Sequence, residues 1–325
     1  MIKKLLVFKS NSFNPYENLA TEKYLLDTVP ADCFVLYLWQ NENTIVIGRN
    51  QNPWTECKCK ELEADGGYLA RRLSGGGAVF HDRGNLNFTF ISTTENYSLD
   101  RNLEIIRKAC KYSGVDTEIS GRNDILAEGR KFSGNAFYNS KGKTYHHGTV
   151  LVNADFEKMS KYLTPSKAKL EAKGVKSVKS RTVNLSELSP LASIENLTEF
   201  FIKSAEEVLN LKYEPIHITD FDAINKLTIK FSRNDWKYGE TLPFSAIFSN
   251  RFDWGSLELR LNIEKGIVSS CQIFTDSMDE MLADKICQAF CGCEFEPEKL
   301  KANLIEQIPD SITNDIISIL KNNEI

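Results

Sequence analysis

Residues 71–82, RRLSGGGAVFHD, bring two arginines, three consecutive glycines and a histidine into one short stretch. Three glycines in a row cost backbone entropy, which makes sense where a chain bends sharply or approaches a ligand closely. Their bare N–H groups can cradle an anion, with Arg71 and Arg72 beside them. A flexible turn between strands would have the same composition, so both readings stay open on these residues alone. A second stretch is GRNDIL at 121–126, followed by RKFSGNA at 130–136. Here Lys131 lies beside small residues and could aim a fixed ammonium at an oxyanion. An exposed strand lysine is the ordinary alternative. Asp124 is a candidate proton acceptor, or a turn or strand hydrogen-bond partner. The third stretch is His146-His147-Gly148-Thr149. Adjacent residues of a strand face opposite ways, so the two histidines are poor joint ligands for one metal.

The common nucleotide and hydrolase signatures fail. G-x-G-x-x-G would need glycine at position 80, where Phe80 stands. Gly142-Lys143-Thr144 ends like a P-loop, but position 137 is Phe137. G-x-S-x-G fails because Arg72 stands two before Ser74. This argues against a Rossmann dehydrogenase, a P-loop kinase and a nucleophile-elbow hydrolase.

The elements that must position these stretches come from an ordinary globular chain. It has 325 residues, 42% hydrophobic and 26% charged, enough for a full core and for two domains. A net charge of −4 argues against broad nucleic-acid binding, which needs a basic footprint. The apolar start at residues 5–8 stops at Lys9, too short for a secretory signal, and no run is long enough to span a bilayer. A cytoplasmic enzyme is expected. The eight cysteines include a cluster, Cys287, Cys291 and Cys293, best read as reduced thiols on or just past a helix.

Residues 5–8, 33–39 and 44–47 read as strands. Between the first two lies a helix with Asn14 as N-cap, Pro15 at N1 and Glu17 at N3. Residues 55–65 read as one short charged helix. Residues 98–113 read as an amphipathic helix with Leu103, Ile106 and Cys110 on one face. Residues 125–126, 131–138 and 145–152 read as strands, and the lysine-rich residues 164–181 as a long loop. Helices are expected at 193–209 and from Thr219. The pattern restarts near 248, with strands at 251–261 and 267–275 and helices around 278–291, 297–307 and 310–322. Domains of 1–247 and 248–325 follow.

These stretches, with LWQN at 38–41, GRNQNPW at 48–54, RRLSGGGAVFHDRGNLNFTF at 71–90, YHHGTVLVNAD at 145–155 and KSVKSRTVNL at 176–185, closely resemble the lipoate–protein ligases. RFDWG at 251–255 and FTDS at 274–277 resemble that family's accessory domain. The resemblance implies an α+β fold: a mixed-sheet catalytic domain like that of the biotin/lipoyl protein ligases, related to the class II synthetase sheet, plus a small α+β C-terminal domain. It implies adenylation of lipoate by ATP, then transfer of the lipoyl group to a lysine of a lipoyl domain. Acceptors would be 2-oxoacid dehydrogenase acyltransferases and glycine-cleavage H protein, with no nucleic-acid or membrane partner.

By family position the nucleotide would meet Arg72, Gly77, Ala78, Val79, Phe80, Asn85, Asn123 and Lys131. Lipoate would meet Trp39, Arg72, Gly76, His81 and Lys131. Lys131 would be the catalytic group, and Mg²⁺ would be held mainly through nucleotide phosphate. Related acyltransferases work through an acyl-cysteine, but no cysteine lies between Cys110 and Cys271.

Overall fold

The computed structural model describes residues 1–120, 124–164, 181–238, 246–264 and 266–322. Two compact units emerge. The first comprises Met1–Val46, Trp54–Arg71 and Val79–Lys237, and the second Ile47–Pro53, Arg72–Ala78 and Tyr238–Ile325.

In chain order the strands of the first unit are β1 (Lys4–Lys9), β2 (Cys33–Trp39), β3 (Thr44–Ile47), β4 (Tyr68–Arg71), β5 (Val79–His81), β6 (Asn85–Thr93), β7 (Glu118–Ser120), β8 (Asp124–Ala127), β9 (Arg130–Ser140), β10 (Lys143–Leu151) and β11 (Tyr213–Pro215). Eight of them form one sheet in the order β11-β1-β2-β6-β10-β9-β8-β7, and β4-β3-β5 form a small second sheet. β1 runs parallel to β2 and β11, and the other pairs of the large sheet are antiparallel. The expected mixed α+β architecture is therefore present.

One face of the large sheet is apolar. Leu36, Leu38, Leu86, Phe88, Phe90 and Val150 pack there against helices Leu99–Tyr112 and Ile194–Leu209. Ser98 caps the first of these helices at Arg101 N, and Ser193 caps the second at Asn196 N, as their serine starts suggest. Helix Pro15–Thr28 starts as read, with the Asn14 side chain accepting from Tyr16 N and Glu17 N. It covers the opposite face of the sheet, where its Glu22 reaches β6 and β10.

Three expectations are corrected. The single helix at 55–65 is two pieces, Pro53–Glu56 and Cys59–Ala64. Cys57 forms an isolated bridge with Leu163, and Lys58 N–H donates to Tyr162 O, so the chain is extended where one helix would have continued. The helix placed from Thr219 is Phe221–Ser232, with Asp220 rather than Thr219 as its cap. The single strand at 251–261 is a hairpin: β12 (Ala246–Phe252) and β13 (Gly255–Glu264) meet at Asp253-Trp254.

In the second unit β12, β13 and β14 (Ile267–Thr275) form an antiparallel meander. Leu257, Leu259 and Leu261 alternate inward along β13. They share a core with Ile286 and Phe290 of helix Leu282–Phe290, Leu300 of helix Pro297–Ile305, and Ile316 and Leu320 of helix Asp310–Asn322. Most of the lysine-rich stretch 164–181 lies outside the described residues, as does Asn123. No described helix is long and apolar enough to cross a membrane.

Candidate active site

The non-core face of the large sheet is polar. Along β6, Leu86, Phe88 and Phe90 point into the core while Asn85, Asn87 and Thr89 alternate to the other side. All three polar residues are buried. Asn85 Nδ2 donates to Asn87 Oδ1 at 3.0 Å, but Asn85 Oδ1 and Asn87 Nδ2 have no hydrogen-bond partner among the described residues. A buried polar atom without a partner costs about 1–3 kcal/mol. These two amides therefore keep unused hydrogen-bonding capacity on the polar face.

Trp39, at the end of β2, is fixed by a chain of hydrogen bonds. Its Nε1–H donates to Thr89 Oγ1 at 3.1 Å, and that hydroxyl donates to Glu22 Oε1 at 2.7 Å. Glu22 Oε1 also pairs with His147 Nδ1 at 2.8 Å. The hydroxyl has one proton to give and lone pairs to receive, so the order Trp39 to Thr89 to Glu22 satisfies every member. The ring of His81 meets that of Trp39 edge-on at 6.1 Å, and His81 Nδ1 lies 3.1 Å from Asn41 Nδ2. The two residues expected along the lipoyl slot are thus neighbours. Phe80, between Val79 and His81 on β5, points the other way, its ring 6.0 Å from that of Tyr162. Any nucleotide contact at Phe80 would come from its backbone.

Lys131 reaches the polar face through an irregularity in strand pairing. Ile125 pairs with Ser133, but the next residue, Leu126, pairs with Lys131, so β9 carries one extra residue opposite β8. Strict alternation would put Lys131 and Ser133 on one face. The bulge resets the phase: Phe132 joins the core, fully buried, and Lys131 turns to the face of Gly134. The lysine lies over that glycine, and a Cβ added to Gly134 would sit 2.9 Å from Lys131 Nζ. Nζ pairs with Asp124 Oδ1 at 2.7 Å, and Asp124 Oδ2 accepts from Arg181 Nη2 at 2.5 Å. Asp124 thus has a cation on each carboxylate oxygen.

Arg72, Gly76, Gly77 and Ala78 belong to the second unit. There Arg72 organises the glycine loop: Nε donates to Ser74 Oγ at 3.0 Å, and Nη2 to Gly75 O at 2.7 Å and Gly77 O at 2.8 Å. Gly76 has φ +90°, left-handed backbone that favours glycine, and its N–H donates to Ser277 O at 2.9 Å. The cradle donor inferred from sequence is thus engaged by the chain itself. Arg71, its neighbour in sequence, is in the first unit and does different work. Its guanidinium donates to Trp236 O and Lys237 O at the end of helix Asn234–Tyr238. Trp236 Nε1–H donates back to Arg71 O at 2.9 Å.

Known proteins are similar to this chain in sequence and in fold. Residues 14–206 match the family described as "Lipoyl protein ligase A/B catalytic domain", and residues 241–320 match "Bacterial lipoate protein ligase C-terminus". The chain belongs to the lipoate–protein ligase family. It is an enzyme of that class. A protein of Psychrobacter cryohalolentis named "Lipoate-protein ligase A" is 39% identical over 93% of this chain and 92% of its own length. One of the same name from Blochmanniella pennsylvanica is 41% identical over 87% of each. Among solved structures, P. falciparum LipL1 in complex with lipoate superposes with a TM-score of 0.84 at 30% identity, covering 97% of this chain and 98% of that one.

Several residues that the structure gathers around Trp39, Asn85 and Lys131 were not singled out from sequence: Glu22, Asn87, Thr89, Arg181 and, beyond its poor prospects as a metal ligand, His147. The N-x-N-x-T alternation inside an otherwise apolar strand was a legible signal for two of them. His146 has a different job from His147. It is fully buried on the core side, its Nε2 at 2.8 Å from Asn135 Oδ1, and burial holds its pKa down near 3. It is a neutral structural histidine. Cys287 lies on helix Leu282–Phe290, its Sγ 3.1 Å from that of Cys271, while Cys291 ends the helix and Cys293 comes after it. Among the described residues no group of three His, Cys, Asp or Glu side chains gathers as a metal site.

Proposed function

We propose that this ligase works in the cytoplasm, activating free lipoate with ATP to lipoyl-AMP and then transferring the lipoyl group to one lysine of a lipoyl domain. Acceptors are 2-oxoacid dehydrogenase acyltransferases and glycine-cleavage H protein. In the first step a lipoate carboxylate oxygen attacks the α-phosphorus and pyrophosphate leaves. In the second, the acceptor amine attacks the acyl carbon, AMP leaves, and the amine gives up its proton. A free carboxylate does not acylate an amine in water at a useful rate, so it must first gain a leaving group, which AMP supplies in this reading. In this reading residues 1–247 carry the chemistry and residues 248–325 form an accessory domain.

The observation that carries the reading is Lys131, turned by a bulge onto the face that also presents Asn85, Asn87 and Trp39. Both steps bring negative charge together, at the α-phosphate and then at the acyl oxyanion. A preorganised ammonium stabilises both. Arg72 and the backbone of residues 76–80 serve the nucleotide, with Asn85 and Asn123 as polar contacts. Mg²⁺ would be held mainly by nucleotide phosphate and would neutralise charge there. Trp39, Gly76 and His81 serve the lipoyl chain. Each CH₂ buried along such a slot contributes about 0.8 kcal/mol, so octanoate should be a weaker second substrate.

The test is lipoate-dependent ATP–pyrophosphate exchange, which only an adenylating enzyme performs. Lys131→Ala should lower it by about 10²-fold or more, as does loss of an oxyanion donor, and should leave the fold intact. ATP-independent transfer of lipoyl groups from a lipoylated protein, abolished by one cysteine change, would replace this reading with an acyl-cysteine transferase.

A further inference from the structure

Asp124 is shared. Its two oxygens hold two cations, Lys131 Nζ at 2.7 Å and Arg181 Nη2 at 2.5 Å. The three side chains are 13% (Asp124), 23% (Lys131) and 26% (Arg181) exposed, so solvent screens them less than an ordinary surface pair.

Arg181 is held in place by the three residues after it. Thr182 forms an isolated parallel bridge with Lys131, and Val183 N–H donates to Lys131 O at 3.0 Å. Val183 is fully buried in the main core. Asn184 closes a pair of hydrogen bonds with the backbone of Ala154, at 2.8 Å and 3.0 Å, and caps helix Leu185–Leu188. The backbone carrying Arg181 is thus docked onto the strand that carries Lys131. A surface arginine pairing at random has no such anchorage.

We propose that Arg181 is a positioning residue for the ligase reaction, acting through Asp124 to keep the charge of Lys131 available to the anionic substrate. The inference rests on the reading of Lys131 given above. A Lys131–Asp124 pair is neutral, and its carboxylate competes with phosphate for the ammonium. Among the described residues, Arg181 adds a second cation to the pair and draws part of the carboxylate's field away from Lys131. Arg181 thereby tunes the lysine without touching the substrate. The carboxylate still orients Nζ, which a lysine on a flexible stem would otherwise not maintain.

A double-mutant cycle tests the arrangement, read by lipoate-dependent ATP–pyrophosphate exchange on the full chain with thermal melting as the fold control. Arg181→Gln should lower kcat for exchange by about tenfold or more, within the range of coupling between contacting charged residues. The KM for lipoate should stay near the wild-type value. In an Asp124→Asn background the same substitution should cost less than about twofold, because the group it acts through has lost its charge. Arg181→Lys should recover most of the loss.

Equal losses in both backgrounds would overturn the proposal, since Arg181 would then act directly on a substrate or carrier. Wild-type exchange by a folded Arg181→Gln protein would do the same. Full exchange by Lys131→Ala is a separate result: it would remove the reading of Lys131 itself.

Discussion

Gly134→Ala separates the geometry of Lys131 from its mere presence. The added Cβ would lie 2.9 Å from Lys131 Nζ, 3.2 Å from its Cε and 3.9 Å from Thr149 Oγ1. Ordinary contact distances begin near 3.5 Å, so the ammonium must retreat by about 0.6–1 Å. That stretches its 2.7 Å contact with Asp124 beyond about 3.2 Å, where a hydrogen bond weakens. The fold should tolerate the change, because the displaced atoms are the end of a flexible side chain and Gly134 does not have positive φ. Replacing glycine by alanine in a compatible conformation stabilises by about 0.4–1 kcal/mol through the unfolded chain. Activity and stability should therefore move in opposite directions. A misplacement near 1 Å costs up to about 10²-fold in rate, so exchange should fall about 10- to 100-fold, or about 1.4–2.7 kcal/mol of transition-state stabilisation. The assay is lipoate-dependent ATP–pyrophosphate exchange beside a melting curve. Wild-type exchange by a well-folded Gly134→Ala protein would refute the claim that Lys131 must lie over Gly134 to act.

Other outcomes are expected from the same structure. Thr89→Val removes the hydroxyl between Trp39 and Glu22 and should destabilise by about 1–3 kcal/mol in denaturant titration, with a raised KM for lipoate as Trp39 loosens. An unchanged KM would separate the hydrogen-bond chain from the lipoyl slot. Gly76→Val places a branched side chain at φ +90° with its Cβ 3.0 Å from Arg72 Nη2, and should weaken binding of a lipoyl-AMP analogue more than it lowers the melting temperature. His146 has a folded pKa near 3, below its usual value of about 6.5, so the unfolded chain binds the extra proton between those values. Its contribution to stability is complete above about pH 6.5 and is lost as pH falls, with a slope of up to about 1.4 kcal/mol per pH unit. Comparing His146→Gln with wild type in denaturant titrations between pH 6.5 and 5 should show a shallower loss in the variant. Parallel curves would mean that this histidine is not held neutral.

Much of this protein was legible in its sequence. The caps Asn14, Ser98 and Ser193 each set a helix start, because a cap depends on residues only two or three positions away. The mixed fold and the ligase family followed from long motifs, whereas the alternation Asn85, Asn87, Thr89 was a signal in the sequence that went unread. Other features were decided by distant parts of the chain. Cys57 is extended because Leu163 pairs with it, which no local propensity for helix reveals. Glu22 meets Thr89 and His147 only after a helix folds across the sheet. Arg71 and Arg72, adjacent in sequence, fall into different units and bind different carbonyls. Lys131 was identifiable by type and motif, but strict alternation would have placed it on the core face. The bulge at Phe132 turned it, and Arg181, some fifty residues later, pairs with the same carboxylate, Asp124. The physical reason is the same in each case. Propensity and capping are settled between near neighbours, whereas side-chain direction at a bulge and the partner of a buried charge depend on which distant segment packs there.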